Sequence, residues 1–157
     1  MIKEIHIGCA STNTHYGKRL DTTLVKLNSK ANFSALFTSN KFKSAPVQIC
    51  LNQIKKKMKG EKILAINAGN ANAATGRKGV SDTKKLIKEI SNLSNIPTDQ
   101  ILPFSTGVVG QVLDMKSLSK GFNESFKNLN KNSWNDFATA IMTTDTKSKI
   151  VKVSGKI

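Results

Sequence analysis

Two stretches of this sequence share a design suited to holding a negatively charged oxygen: "ILAINAGNANAATG", residues 63–76, and "ILPFSTGVVG", residues 101–110. Each is an apolar strand that opens into a turn of glycine, alanine and hydroxyl residues. Glycine adopts backbone conformations closed to other residues and lets a ligand or a second backbone come close. Small side chains leave N–H groups uncovered, and such groups bind an anion or an oxyanion that develops during a reaction. A third stretch, "AIMTTDTKSK" at 140–149, ends a helix in three threonines and an aspartate. Threonine is a poor helix former, so this is either a hydroxyl-rich helix end or a polar wall facing a small polar substrate. Taken singly, each of the first two stretches is equally a tight turn between a strand and a helix.

Several other chemistries lack their signatures. There is no G-x-x-x-x-G-K-[ST], no G-x-G-x-x-G and no G-x-S-x-G. His6 and His15 have no metal-ligand spacing, and the ten carboxylates are scattered, so no metal site is expected. Cys9 and Cys50 lie far apart without a C-x-x-C, which reads as two reduced thiols in an intracellular, cytoplasmic protein. No self-sufficient catalytic set appears within the chain.

The elements that must position these stretches alternate between strand and helix. "TTLVKL" (22–27) and "NFSALFT" (32–38) read as two strands joined by the turn "NSKA". Pro46 suits a first helical turn, Val47, Cys50, Leu51, Ile54 and Met58 form one stripe, and Gly60 ends that helix. "KILAIN" (62–67) is a buried-type strand. Ser81 and Asp82 start a second helix carrying Leu86, Ile87, Ile90 and Leu93 on one face. Asp114 caps a third, weakened by Gly121, and Ser133 caps a fourth with Trp134, Phe137 and Ile141. "KIVKVSGKI" alternates like a strand up to the last residue. The class is α/β or α+β, in one domain spanning 1–157.

The net charge of +15 raises nucleic acid as a partner. However, only Arg19 and Arg77 among the 25 basic residues are arginine, and the lysines run from Lys3 to Lys156. Bidentate phosphate and guanine recognition favours arginine, so the charge reads as compositional and no nucleic acid is expected. A basic nucleic-acid-binding module stays the alternative from another class. No apolar run approaches the roughly 18 residues of a membrane span, so no membrane is expected either.

In order, "ALFTSNKFKSAPV" (35–47), "AINAGNANAATG" (65–76), "LPFSTGVVG" (102–110) and "AIMTTDTKSK" (140–149) resemble the ornithine acetyltransferase family, the bifunctional glutamate N-acetyltransferases. The resemblance implies a layered α/β sandwich built from two chains that one precursor makes by cleaving itself. It implies transfer of acetyl from N-acetylornithine to glutamate in arginine biosynthesis, by a ping-pong route through an acetyl-enzyme. It implies an oxyanion hole at Thr106 and Gly107, with glycine favoured because a side chain there could obstruct the acetyl group. It implies a substrate contact at Thr143, with Thr144 the close alternative. No cofactor is implied, although acetyl-CoA is a possible acetyl donor in a bifunctional member. The partner is a β chain, in an α2β2 heterotetramer. The family's cleavage site and nucleophilic threonine would follow "VSGKI", so this chain is expected to be an incomplete N-terminal portion without the nucleophile. Alone it should leave sheet edges and apolar faces unpaired. A related self-processing aminopeptidase is a further alternative. "NAGNANAATG" itself is expected to be a closely packed loop beside the site, with no catalytic role.

Overall fold

A computed structural model of the chain describes residues 4–32, 34–56, 58–130, 133–153 and 155. Four strands form one sheet in the order β1 (Ile5–Ala10), β2 (Thr22–Leu27), β3 (Lys62–Asn70) and β4 (Ile101–Val108). β1 and β2 pair antiparallel, as do β2 and β3, whereas β3 and β4 run parallel. Parallel neighbours need a crossover, and α2 (Gly76–Ser94) supplies it.

Alternation along the strands sorts the core into two faces. Leu24, Ile63, Ala65 and Ile101 point to one side. There they meet Ile49 of α1 (Ala45–Ile54), Leu86, Ile87 and Ile90 of α2, and Leu118 and Phe122 of α3 (Met115–Lys127). Val25, Ile7, Leu64 and Ile66 point to the other side, where Ala140, Trp134 and Phe137 of α4 (Trp134–Ala140) pack. α4 touches β1 and β2, so the outer face of β4 carries less cover and Phe104 is 42% exposed. Mixed α/β layering around one four-stranded sheet is therefore the class the sequence indicated.

The helices obey their sequence signals most closely. Pro46 sits in the first turn of α1. The Asp114 carboxylate accepts hydrogen bonds from Ser117 N at 3.1 Å and Ser117 Oγ at 2.7 Å, capping α3. These bonds hold the Asp114 carboxyl below the usual carboxylate range. A lowered folded-state pKa means stabilisation that is present above the ordinary carboxylate pKa and lost as pH falls through the folded value. Asp114→Ala should therefore cost about 0.5–2 kcal/mol near neutral pH, read from thermal or denaturant unfolding, and progressively less in acid. Gly121 lies where α3 meets β2: a Cβ there would stand 2.9 Å from Thr22 Oγ1 and from Thr12 Cγ2. Its small size is a packing requirement as well as a weakness in the helix.

Several expectations fail: α1 ends at Ile54, short of Met58 and Gly60, and α4 ends at Ala140, before Ile141 and the threonines of "TTDT", without a side-chain cap from Ser133 among the described residues. Residues 34–38 form no strand, and Leu36 is fully exposed (Phe33 lies outside the described residues). The antiparallel partner of β2 is instead β1, with Val25 opposite Ile7. Residues 149–153 also form no strand, and Val151 and Val153 are more than 80% exposed. Alternating side chains make a strand only where a neighbouring backbone completes the ladder, and among the described residues neither segment has one. Finally, α2 begins at Gly76 rather than Ser81. Asp82 is thus inside the helix, buried, with Lys78 Nζ at 2.5 Å.

Candidate active site

The parallel ends of β3 and β4 bring the two small-residue stretches side by side. Ser105 lies opposite Asn67, Thr106 opposite Ala68, and Gly107 opposite Gly69. Ser105 Oγ donates to Asn67 Oδ1 at 2.6 Å, and Asn67 Nδ2 donates to the Asn70 carbonyl at 2.8 Å. Asn70 Nδ2 reaches the carbonyls of Gln111 and Val112 at 3.1 Å each, tying the turn after β4 back to β3. Backbone bonds from Ala71 N to Val108 O and from Gly110 N to Ala73 O, both 2.9 Å, complete the clasp.

The rest of "NAGNANAATG" is occupied with itself. Asn72 is fully buried; its Nδ2 donates to Thr83 Oγ1 at 2.7 Å, and its Oδ1 accepts from Thr75 Oγ1 at 2.7 Å. Its N–H donates to Asn70 Oδ1 at 2.7 Å. A run without bulk or charge thus becomes a hydrogen-bonded plug: three asparagines satisfy backbone groups that a tight turn would otherwise bury unpaired. The smallness serves backbone contact as well. Gly107 has φ +125°, and a Cβ built on it would stand 2.4 Å from the Gly69 carbonyl carbon. Glycine at 107 is required by the neighbouring strand, a stronger constraint than room for an acetyl group.

Thr106 and Gly107 are half-buried at the end of β4. Among the described residues no hydrogen bond engages the Thr106 hydroxyl. A half-buried hydroxyl without a partner, on a strand clasped on one side, is available to a bound molecule. Thr143 is half-buried and Thr144 exposed, both just after α4. Next to them Asp145 pairs with Lys149 Nζ at 2.6 Å, and that ammonium, followed by the Thr143 backbone, holds its carboxyl below the usual range.

A fourth segment, whose sequence resembles the family only loosely, also packs against β3. Loop 11–20 joins β1 to β2 and is pinned by Asp21, whose buried carboxylate accepts from Thr12 N at 2.7 Å and from Thr12 Oγ1 at 2.5 Å. His15 packs over Gly69, so that a Cβ at Gly69 would lie 2.8 Å from His15 Cδ2. The Arg19 guanidinium stacks 3.7 Å above the Tyr16 ring, and Arg19 Nη2 donates to the Met142 carbonyl at 2.8 Å. No local spacing announces an interaction between residues 19 and 142.

Neither thiol competes for a catalytic role. Burial pushes Cys9 up to about 11 and Cys50 up to about 12. Cys50 Sγ donates to the Pro103 carbonyl at 3.2 Å, and Cys9 shares a hydrogen bond with Thr23 Oγ1 at 3.3 Å. A thiol with so high a pKa is not a thiolate at neutral pH and is a poor nucleophile. Among the described residues, no three histidine, cysteine, aspartate or glutamate side chains are grouped to hold a metal, and no helix is long and apolar enough to cross a membrane.

Comparison with known proteins agrees with this layout. The model of the ArgJ family matches residues 5–157. The arginine biosynthesis bifunctional protein ArgJ of Colwellia psychrerythraea is 36% identical over 168 residues, covering 99% of this chain and 40% of that protein. The ArgJ protein of Caldanaerobacter subterraneus subsp. tengcongensis is 42% identical over 133 residues, covering 85% of this chain and 32% of its own length. The chain therefore spans two fifths or less of these two relatives. Among solved structures, the ArgJ protein of Bacillus halodurans superposes with a TM-score of 0.79 at 27% identity, over 92% of this chain and 75% of that one. The ornithine acetyltransferase of Mycobacterium tuberculosis, solved in complex with ornithine, shares the fold with a TM-score of 0.84 at 24% identity, over 92% of this chain and 78% of that one.

Proposed function

Because the chain belongs to the ArgJ family, we propose that it is the N-terminal, α-chain portion of an acetyltransferase that moves acetyl from N-acetylornithine to glutamate in arginine biosynthesis. Family membership leaves the nucleic-acid-binding and aminopeptidase readings without support. The observation that carries the proposal is the clasped end of β4, which presents Thr106 with a free hydroxyl beside Gly107. Acetyl transfer passes through a tetrahedral intermediate whose former carbonyl oxygen is negative. A hydroxyl and a backbone N–H aimed at that oxygen stabilise it more than the ground-state carbonyl, and so accelerate the reaction.

In this reading Thr106 Oγ1 and the Gly107 N–H are the oxyanion donors. Thr143, with Thr144 as its alternative, contacts the amino-acid part of the substrate. The nucleophile is a threonine outside these 157 residues, exposed as the first residue of a β chain when the precursor cleaves itself. Its own amine would take up the hydroxyl proton as the oxygen attacks the acetyl carbonyl and pass it to the ornithine amine as the C–N bond breaks; the glutamate amine then attacks the acetyl-enzyme and frees the threonine. The assembly is α2β2, and acetyl-CoA is a second acetyl donor if this member is bifunctional.

Isotopic exchange tests the proposal. The chain produced together with the remainder of its precursor should move labelled acetyl from N-acetylornithine to glutamate, whereas these 157 residues alone should not. Turnover by the 157 residues alone, or none by the complete protein, would overturn it.

A further inference from the structure

We infer that Arg19 is a positioning residue for the Thr143 segment, and that loop 11–20 holds the two halves of the site in register. The inference rests on the assignment of Thr143 as a substrate contact. Arg19 Nη2 donates at 2.8 Å to the carbonyl of Met142, the residue immediately before Thr143. The guanidinium is fixed from below by the Tyr16 ring at 3.7 Å. Among the described residues its buried Nε has no acceptor, and the Nη2 bond to Met142 holds this end of the side chain. At the other end of the loop, His15 lies on Gly69, which pairs with Gly107. The loop is itself anchored by the buried Asp21, whose carbonyl accepts from Ala68 N at 2.8 Å.

One short segment therefore touches β3 opposite the Thr106–Gly107 pair and also the backbone leading into Thr143. α4 ends at Ala140, and residues 143–146 have no regular structure to fix their path. A planar guanidinium seated on an aromatic ring is a rigid donor, because little freedom remains to be lost when it binds a carbonyl. Arg19 acts through Thr143 and touches no reacting atom.

The test is a double-mutant cycle in the complete protein, with N-acetylornithine as the varied substrate. Arg19→Met should raise KM about tenfold while kcat stays within about threefold, since what moves is a binding wall. Arg19→Lys, which keeps a cation but loses the planar group stacked on Tyr16, should restore only part of the parent KM. Thr143→Val should raise KM by itself, and Arg19→Met should then add almost nothing, because the residue it positions is already disabled. If Arg19→Met multiplies KM equally in both backgrounds, or leaves KM unchanged in the parent, the positioning role is wrong while the assignment of Thr143 is untouched. If Thr143→Val leaves KM unchanged, the assignment of Thr143 falls, and this inference with it. Should Arg19→Met not accumulate as folded protein, Tyr16→Leu removes the ring beneath the guanidinium and gives the same readout.

Discussion

Replacing Thr106 by alanine in the complete protein is expected to lower kcat about 10- to 1,000-fold, the scale of losing one oxyanion donor. That corresponds to about 1.4–4 kcal/mol of transition-state stabilisation. KM for N-acetylornithine should change little, because the neutral carbonyl of the bound substrate depends on this donor less than the charged intermediate does. The fold should be indifferent to the change: the Thr106 hydroxyl has no partner among the described residues, so its removal leaves no buried group unpaired. Steady-state kinetics with a thermal unfolding control decide the matter. An intact kcat with a raised KM would make Thr106 a ground-state contact and remove the oxyanion assignment.

Gly107→Ala should do the opposite kind of damage, failing at the level of structure. The new Cβ would meet the Gly69 backbone at 2.4–2.6 Å and Asn70 N at 2.7 Å, none of it a flexible side chain. The φ of +125° is in addition hostile to any L side chain. Overpacking costs about 1–3 kcal/mol, and backbone strain adds about 1–3 kcal/mol. Either part is a large fraction of a domain's net stability. The variant should unfold at markedly lower denaturant concentration than the parent, with Thr106→Ala near the parent value. A Gly107→Ala protein of parental stability would show that the β3–β4 clasp yields more readily than its geometry indicates.

The contrast between α3 and β1 shows what the sequence made legible. The cap at Asp114 and the stripe through Leu118 and Phe122 are local, so they survive in any tertiary setting. β1, "IHIGCA", carries a histidine and a glycine that break the apolar run, so its sequence alone does not mark it as a strand. Gly8 is there because the end of α3 crosses it: a Cβ would sit 1.9 Å from the Ser125 carbonyl oxygen. A contact between positions 8 and 125 has no local signature. Residues 34–38 and 149–153 err in the other direction, since their residue types suit a strand but no neighbouring backbone lies alongside them. The candidate site divides in the same way. The stretch that carries Thr106 and Gly107 was legible because a strand running into small residues is a local pattern, whereas the roles expected of these two residues came from the family resemblance. Arg19 was not legible, because its partner is 123 positions away.

That separation bears on how the molecule assembles. β3, α2 and β4 are contiguous, and their pairing closes a comparatively short stretch of chain. The Arg19–Met142 bond closes a loop of 123 positions. The entropy of closing a loop grows with its length, and a chain made from its N-terminus holds residue 19 long before residue 142 exists. Chain entropy therefore favours closing the Gly107 clasp before residues 143–146 are seated, and local opening is expected to release that segment first; slower hydrogen exchange around residue 142 than around residue 107 would contradict this order.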